Sequence, residues 1–181
     1  MSGTIGSNLV AGRSSGLIAS VAAAGLTLGT EAASTSGTTV DFTGIPSGTK
    51  RITIMFEGVS KNGVEEFLVQ IGDAGGFETS GYDGSANMIL TSAAQSEATD
   101  AGGFIMGVEE AEQTVFGHMV LTLKDADNFS WISSHVASFD SSESGFGGGG
   151  KDLSAELTQV RVTTDGSPNT WDAGSINILL G

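Results

Sequence analysis

Apolar and polar residues alternate with a period of two along much of the chain, the signature of strands with one buried face. Arg51–Phe56 sets Ile52, Ile54 and Phe56 on one side and Thr53 and Met55 on the other. Glu66–Ile71 does the same with Phe67, Val69 and Ile71. Between them lies Asn62-Gly63, and Asn-Gly is the strongest short hairpin signal. Val115–Leu123 places Phe116, His118 and Val120 against Val115, Met119, Leu121 and Leu123, with Phe116 assigned to the core beside Phe56 and Phe67. Trp131–Phe139, Ala155–Thr163 and Ser175–Leu180 also read as strands, with Asp165-Gly166-Ser167-Pro168 as the turn between the last two. Short strands punctuated by turn signals predict an all-β chain, an antiparallel β-sandwich of jelly-roll-like type.

Three stretches break the alternation. Ser92–Gly103 is polar and Ala-rich and predicts a long surface loop. Ser138–Gly150 is a Ser/Gly tract closing on four glycines and predicts a mobile loop. Residues 1–37 are rich in Gly, Ser and Ala and lack bulky alternation. They predict an irregular N-terminal arm that orders against a partner, followed by a sandwich domain over 38–181. The arm's candidate partner-binding residues are Leu9, Val10, Arg13, Leu17 and Ile18. Its apolar run Leu17–Leu28 is too short for a membrane span, which needs about 20 apolar residues. An assembly arm accounts for it better than a secretory signal, because Arg13 is the only positive charge before it.

Composition narrows the functional classes. The chain has 181 residues, enough for one domain with its own core. Its 28 glycines must mostly occupy turns, bulges and loops, because Gly in an element interior costs about 0.5–1 kcal/mol relative to Ala. Absence of Cys removes disulfides, thiolate metal sites and cysteine nucleophiles together. Seven basic residues against 21 acidic ones give a net charge of −14, which argues against nucleic acid as a partner.

The chemistry-bearing motifs are weak. Gly145-Phe-Gly-Gly-Gly-Gly-Lys151-Asp152 imitates a phosphate loop, but Asp152 stands where the Mg²⁺-binding hydroxyl belongs and a strand-like segment follows. His118 and His135 sit on alternating strands, where packing is the ordinary role. The paired acids Glu65-Glu66 and Glu109-Glu110 read as solvated surface. No catalytic residue, resident metal or cofactor follows, so the expectation is a non-enzyme. Asp125-Ala126-Asp127-Asn128 leaves a weak surface Ca²⁺ site open. Tyr82, flanked by Gly81 and Asp83-Gly84, is the best exposed aromatic, and with Trp131 and Trp171 is a candidate for facing a ligand such as a sugar.

Several segments together resemble a family. Thr39-Val-Asp-Phe-Thr-Gly-Ile-Pro46, Lys50–Phe56 and Gly58-Val-Ser60 are followed in order by Gln70-Ile-Gly72, Gly81-Tyr82, Leu153-Ser154, Gln159–Thr163 and Trp171–Ile178. This series, spanning Gly37–Gly181, resembles a recurrent β-domain of tailed-bacteriophage and prophage structural proteins. The resemblance implies a virion protein, often trimeric, on the outer surface of head or tail and assembled in the host cytoplasm. Its implied partners are copies of itself and major capsid or tail proteins. With only a short arm ahead of the domain, a capsid cement (decoration) protein or short fibre-type appendage is the expected form. A receptor- or carbohydrate-binding knob, with a host-surface glycan as partner, is the alternative. Neither nucleic acid nor membrane is expected.

Overall fold

A computed structural model describes residues 25–90, 95–107, 110–140, 142–166 and 169–181. Its elements are β1 (Thr27–Leu28), β2 (Ala32–Ala33), β3 (Val40–Thr43), β4 (Arg51–Lys61), β5 (Phe67–Asp73), β6 (Gly76–Phe77) and β7 (Asp83–Ile89). There follow β8 (Gln95–Ala98), β9 (Phe104–Ile105), β10 (Val115–Asp125), β11 (Ser130–Phe139), β12 (Glu143–Asp152), β13 (Gln159–Thr164) and β14 (Trp171–Leu180). All pairings are antiparallel. Nine strands form a large sheet in the order β1-β14-β4-β10-β11-β12-β7-β8, with β2 also on β14. Five form a smaller sheet, β3-β13-β5-β6, with β9 on β5. The fold is an all-β antiparallel sandwich, as the alternation predicts.

The core lies between the sheets. Ile52, Ile54, Phe56, Met119, Leu121, Phe139, Ile176 and Ile178 of the large sheet pack with Val40, Phe42, Val69, Ile71, Val160 and Val162 of the small one. These are the residues that alternation turns inward, so burial of one strand face supplies the driving force.

The structure departs from local reading where the chain changes sheets. Asn62-Gly63 is no hairpin: β4 and β5 lie in different sheets. Asn62 instead exchanges hydrogen bonds with Thr170, donating its N–H to Thr170 O (3.1 Å) and accepting the Thr170 N–H on Oδ1 (2.9 Å). Likewise β13 and β14 lie in different sheets, so the expected turn at 165–168, of which residues 167 and 168 lie outside the described residues, does not join paired strands. The expected surface loop 92–103 contains β8, which pairs with β7 and carries Ala98 into a small cluster with Leu68, Ala86 and Ile105. Polar residues suit such an edge strand.

The Ser/Gly tract is the largest correction. Glu143–Asp152 is a strand paired on both sides, to β11 and to β7. Its inward glycines make room for large neighbours. An added Cβ at Gly145 would lie 2.6 Å from the Phe139 ring, and one at Gly147 2.6 Å from His135 Cε1. The described part of the arm lies along the large sheet: β1 and β2 run along β14, and Gly37 O accepts the Trp171 N–H at 2.9 Å. Residues 27–37 therefore belong to the sheet edge. Leu9, Val10, Arg13, Leu17 and Ile18 lie outside the described residues.

Candidate functional site: the outer face of the large sheet

Strands β10, β11, β12 and β7 lie side by side, and their register assigns the outward positions. Phe116, Ser138, Ser144 and Ile89 form one cross-strand row; His118, Val136, Phe146 and Asn87 form the next; Val120, Ser134, Gly148 and Ser85 follow. Cross-strand neighbours on one face are the contacting units of a sheet. Phe116 is 51% exposed, Val136 59%, Phe146 48% and Ile89 47%. The rows hold no carboxylate, and His118 is their one titratable group. The charge-free stretch is bounded: the next row, Thr122, Ile132, Gly150 and Asp83, brings in a carboxylate, and Glu97 of β8 is the register partner of Asn87. Contiguous exposed apolar surface rimmed by polar residues marks an interaction face.

The reading that put Phe116 in the core is thereby corrected. Its neighbours in sequence, Val115 and Gly117, face inward, and Phe116 instead covers Gly58, where a Cβ would sit 3.4 Å from the ring tip. Periodicity could not settle this, because both faces of β10 and β11 carry apolar residues. The available signal was parity: Phe116 shares a side with His118, and Ile132 and Val136 share one with Ser134 and Ser138.

The three aromatics expected to face a ligand are interior. Tyr82, Trp131 and Trp171 are 5%, 3% and 1% exposed. The Tyr82 hydroxyl accepts the Ile71 N–H at 2.8 Å and directs its proton to the carbonyls of Glu78 (3.0 Å) and Ile71 (3.2 Å). Its ring meets Phe104 edge-on at 4.9 Å, and burial raises its pKa above the ordinary value. Gly81, at φ 74°, bends the chain so that a turn residue folds inward. Trp171 meets Phe67 edge-on at 4.9 Å. None of the three offers a ring face on which a sugar could stack.

The phosphate-loop imitation is also resolved. Lys151 donates to Ser80 O at 2.9 Å, lies 3.6 Å from the Glu78 carboxylate and stands 5.3 Å from the Tyr82 ring centre. Its ammonium is held by protein groups, and β12 presents paired strand backbone rather than a cradle of free N–H groups. Lys151 and Asp152, with Asp83, Ser130 and Trp131, line a polar groove of about 320 Å³. The Asp125 carboxylate accepts the N–H groups of Asp127 (2.9 Å) and Asn128 (3.3 Å) and the Asn128 amide (2.8 Å), which hold its pKa below the usual range. Its oxygens thus close their own turn. Among the described residues no group of three or more His, Cys, Asp or Glu is gathered to hold a metal ion. No helix among them is long and apolar enough to cross a membrane.

Among the described residues two basic side chains are buried: His135, read from sequence as a packing residue, and Lys61, which sequence reading did not single out. His135, 3% exposed, faces inward toward Gly147, and burial lowers its pKa to about 4. Lys61 is 0% exposed, and burial lowers its pKa to about 8 against the opposing pull of Glu65, Glu66, Asp165 and Asp172. The cause is a bulge. The register of β4 shifts between its pairings at Phe56 and Val59, where Gly58 adopts φ 62°. The extra residue reverses the parity, so Val59 and Lys61 turn inward. Gly174 at φ 86° faces it across β14, where a Cβ would lie 2.4 Å from the Gly58 carbonyl.

Comparison with family models, with curated proteins and with solved structures returned no match.

Proposed function

We propose that the chain is a structural bacteriophage virion protein, a trimeric capsid cement or short fibre-type appendage held on the outer surface of the particle through its N-terminal arm. The observation that carries the reading is the carboxylate-free patch formed by the three rows of β10, β11, β12 and β7 that hold Phe116, Val136, Phe146 and Ile89. Copies of a chain with net charge −14 repel one another over most of their surface. A face without carboxylates is where they can meet without desolvating and opposing like charges. The phage-like series of segments supplies the biological setting. The glycan-binding alternative loses its support, because Tyr82, Trp131 and Trp171 are interior.

The test has two arms, and the structure sets where to cut. Because Thr27–Leu28 and Ala32–Ala33 pair with β14, truncation should remove residues 1–24 and no more. Light scattering should give a trimer mass for full-length and truncated chains alike. Only the full-length chain should bind particles assembled without this protein. A monomer at every concentration, or a truncated chain that binds particles as well as the full one, would sink the proposal.

A further inference from the structure

At one end of the sandwich the β4 bulge turns Lys61 inward beside Gly63, Phe67 and Trp171. Its ammonium donates to Gly63 O at 2.8 Å and to Glu110 O at 3.2 Å, and stands 5.4 Å from the centre of the Phe67 ring. Trp171, the register partner of Lys61, closes the same space edge-on to Phe67. Asn169 lies just before β14, with its carboxamide against Gly63. Its carboxamide covers Gly63 so closely that a Cβ there would stand 2.5 Å from the carboxamide carbon and 2.7 Å from Nδ2. The Lys61 amine, bonded to the Gly63 carbonyl, and the Asn169 carboxamide, lying on the Gly63 Cα, converge on one residue. Asn169 is 8% exposed, and its Nδ2 is buried with no hydrogen-bond partner among the described residues. Glu66 acts on Lys61 electrostatically, favouring its charged form.

We propose that Lys61 and Asn169 condense into an intramolecular isopeptide bond, a covalent tie between the end of β4 and the segment entering β14. The amine nitrogen Nζ attacks the Asn169 carboxamide carbon; the Nζ–Cγ bond forms and the Cγ–Nδ2 bond breaks. One proton passes from Nζ to the departing Nδ2, and the nitrogen leaves as ammonia. Starting from the ammonium form, the extra proton leaves with it as ammonium. No oxidant or co-reactant is required. Three features of the site favour the step. Burial favours the neutral amine, the nucleophilic form (the lowered pKa of Lys61 is its consequence). The paired strands hold the reactants together, which removes most of the entropic barrier. Phe67 and Trp171 exclude water, which would otherwise compete for the carboxamide carbon. Burial does not impede the reaction, because both partners belong to one chain.

The test is the intact mass of the purified full-length chain. The expected value is the sequence mass less one ammonia, with tandem fragmentation joining the Lys61 peptide to the Asn169 peptide. Lys61→Arg and Asn169→Ala should each restore the full sequence mass. Asn62-Gly63 can lose ammonia by closing a succinimide, so the position of the loss matters. A wild-type chain at full sequence mass, or a loss placed at Asn62 with Lys61 and Asn169 in separate peptides, overturns the proposal. The readout is on the wild-type protein, so it stands whether or not a variant folds. It is also independent of assembly: a monomer can carry the bond and a trimer can lack it.

Discussion

Gly147 and Gly150 are near neighbours on β12 and belong to the same run of four glycines, yet alanine should affect them oppositely. At Gly147 a Cβ would stand 2.4 Å from Ser85 O, 2.6 Å from His135 Cε1 and 2.9 Å from Ala86 Cα. Two of these are backbone atoms of β7, so relief requires β12 and β7 to part. At Gly150 the nearest atom is Trp131 O at 3.9 Å, an ordinary contact. Overpacking costs about 1–3 kcal/mol, while restricting the unfolded chain by Gly→Ala returns roughly 0.4–1 kcal/mol. Gly147→Ala should therefore destabilise by about 1–2 kcal/mol, and Gly150→Ala should be neutral or stabilising. At about 2–4 °C per kcal/mol for a chain of this size, the first lowers Tm by about 2–8 °C and the second leaves it or raises it by up to about 4 °C. Thermal melting followed by circular dichroism measures both. The reasoning fails if Gly147→Ala melts at or above Gly150→Ala, because β12 would then be the mobile loop its composition suggests.

Other expectations follow from the same geometry. Val136→Glu and Phe146→Asp should each convert the trimer to monomer in light scattering while leaving the far-UV circular dichroism spectrum unchanged, since both side chains are exposed; a trimer in both variants would move the interface elsewhere. His135 has its folded pKa lowered from 6.5 to about 4, so the unfolded chain binds the extra proton first and stability is lost as pH falls from 6.5 toward 4. That component amounts to about 3 kcal/mol and should be missing from the pH–stability curve of His135→Leu; identical curves would show that His135 does not contribute it. Tyr82→Phe leaves the Ile71 N–H without its acceptor and should cost about 1–3 kcal/mol in urea unfolding; an unchanged midpoint would contradict the buried hydroxyl. Three copies carry 3 × −14 = −42, so the trimer's Tm should rise with added salt, and salt-independent melting would count against the assembly.

Alternation by itself determined the all-β class, the inward faces of β4 ahead of its bulge and of β5, and much of the core, because burial of one strand face depends only on local period. It also marked Lys151 as a poor phosphate ligand, since Asp152 beside it is a fact of sequence. What it could not determine is which strands share a sheet. Asn62-Gly63 reads as a hairpin in every local respect, yet the chain there leaves one sheet for the other, and that choice is made by packing between layers. Glycine content was equally ambiguous. A run of glycines is a loop in isolation and a strand when flanking strands satisfy its backbone and the large rings of Phe139 and His135 need the space. The exposure of Phe116 and the burial of Tyr82 reversed the local expectation for related reasons. One sits over a bulge on the outer face, and the other is folded inward by a left-handed glycine. The inward turn of Lys61 depends on the paired bulges at Gly58 and Gly174, whose positions are set by strand register across β4 and β14. Register is a relation between segments distant in sequence, so it was fixed only when the tertiary structure brought them together.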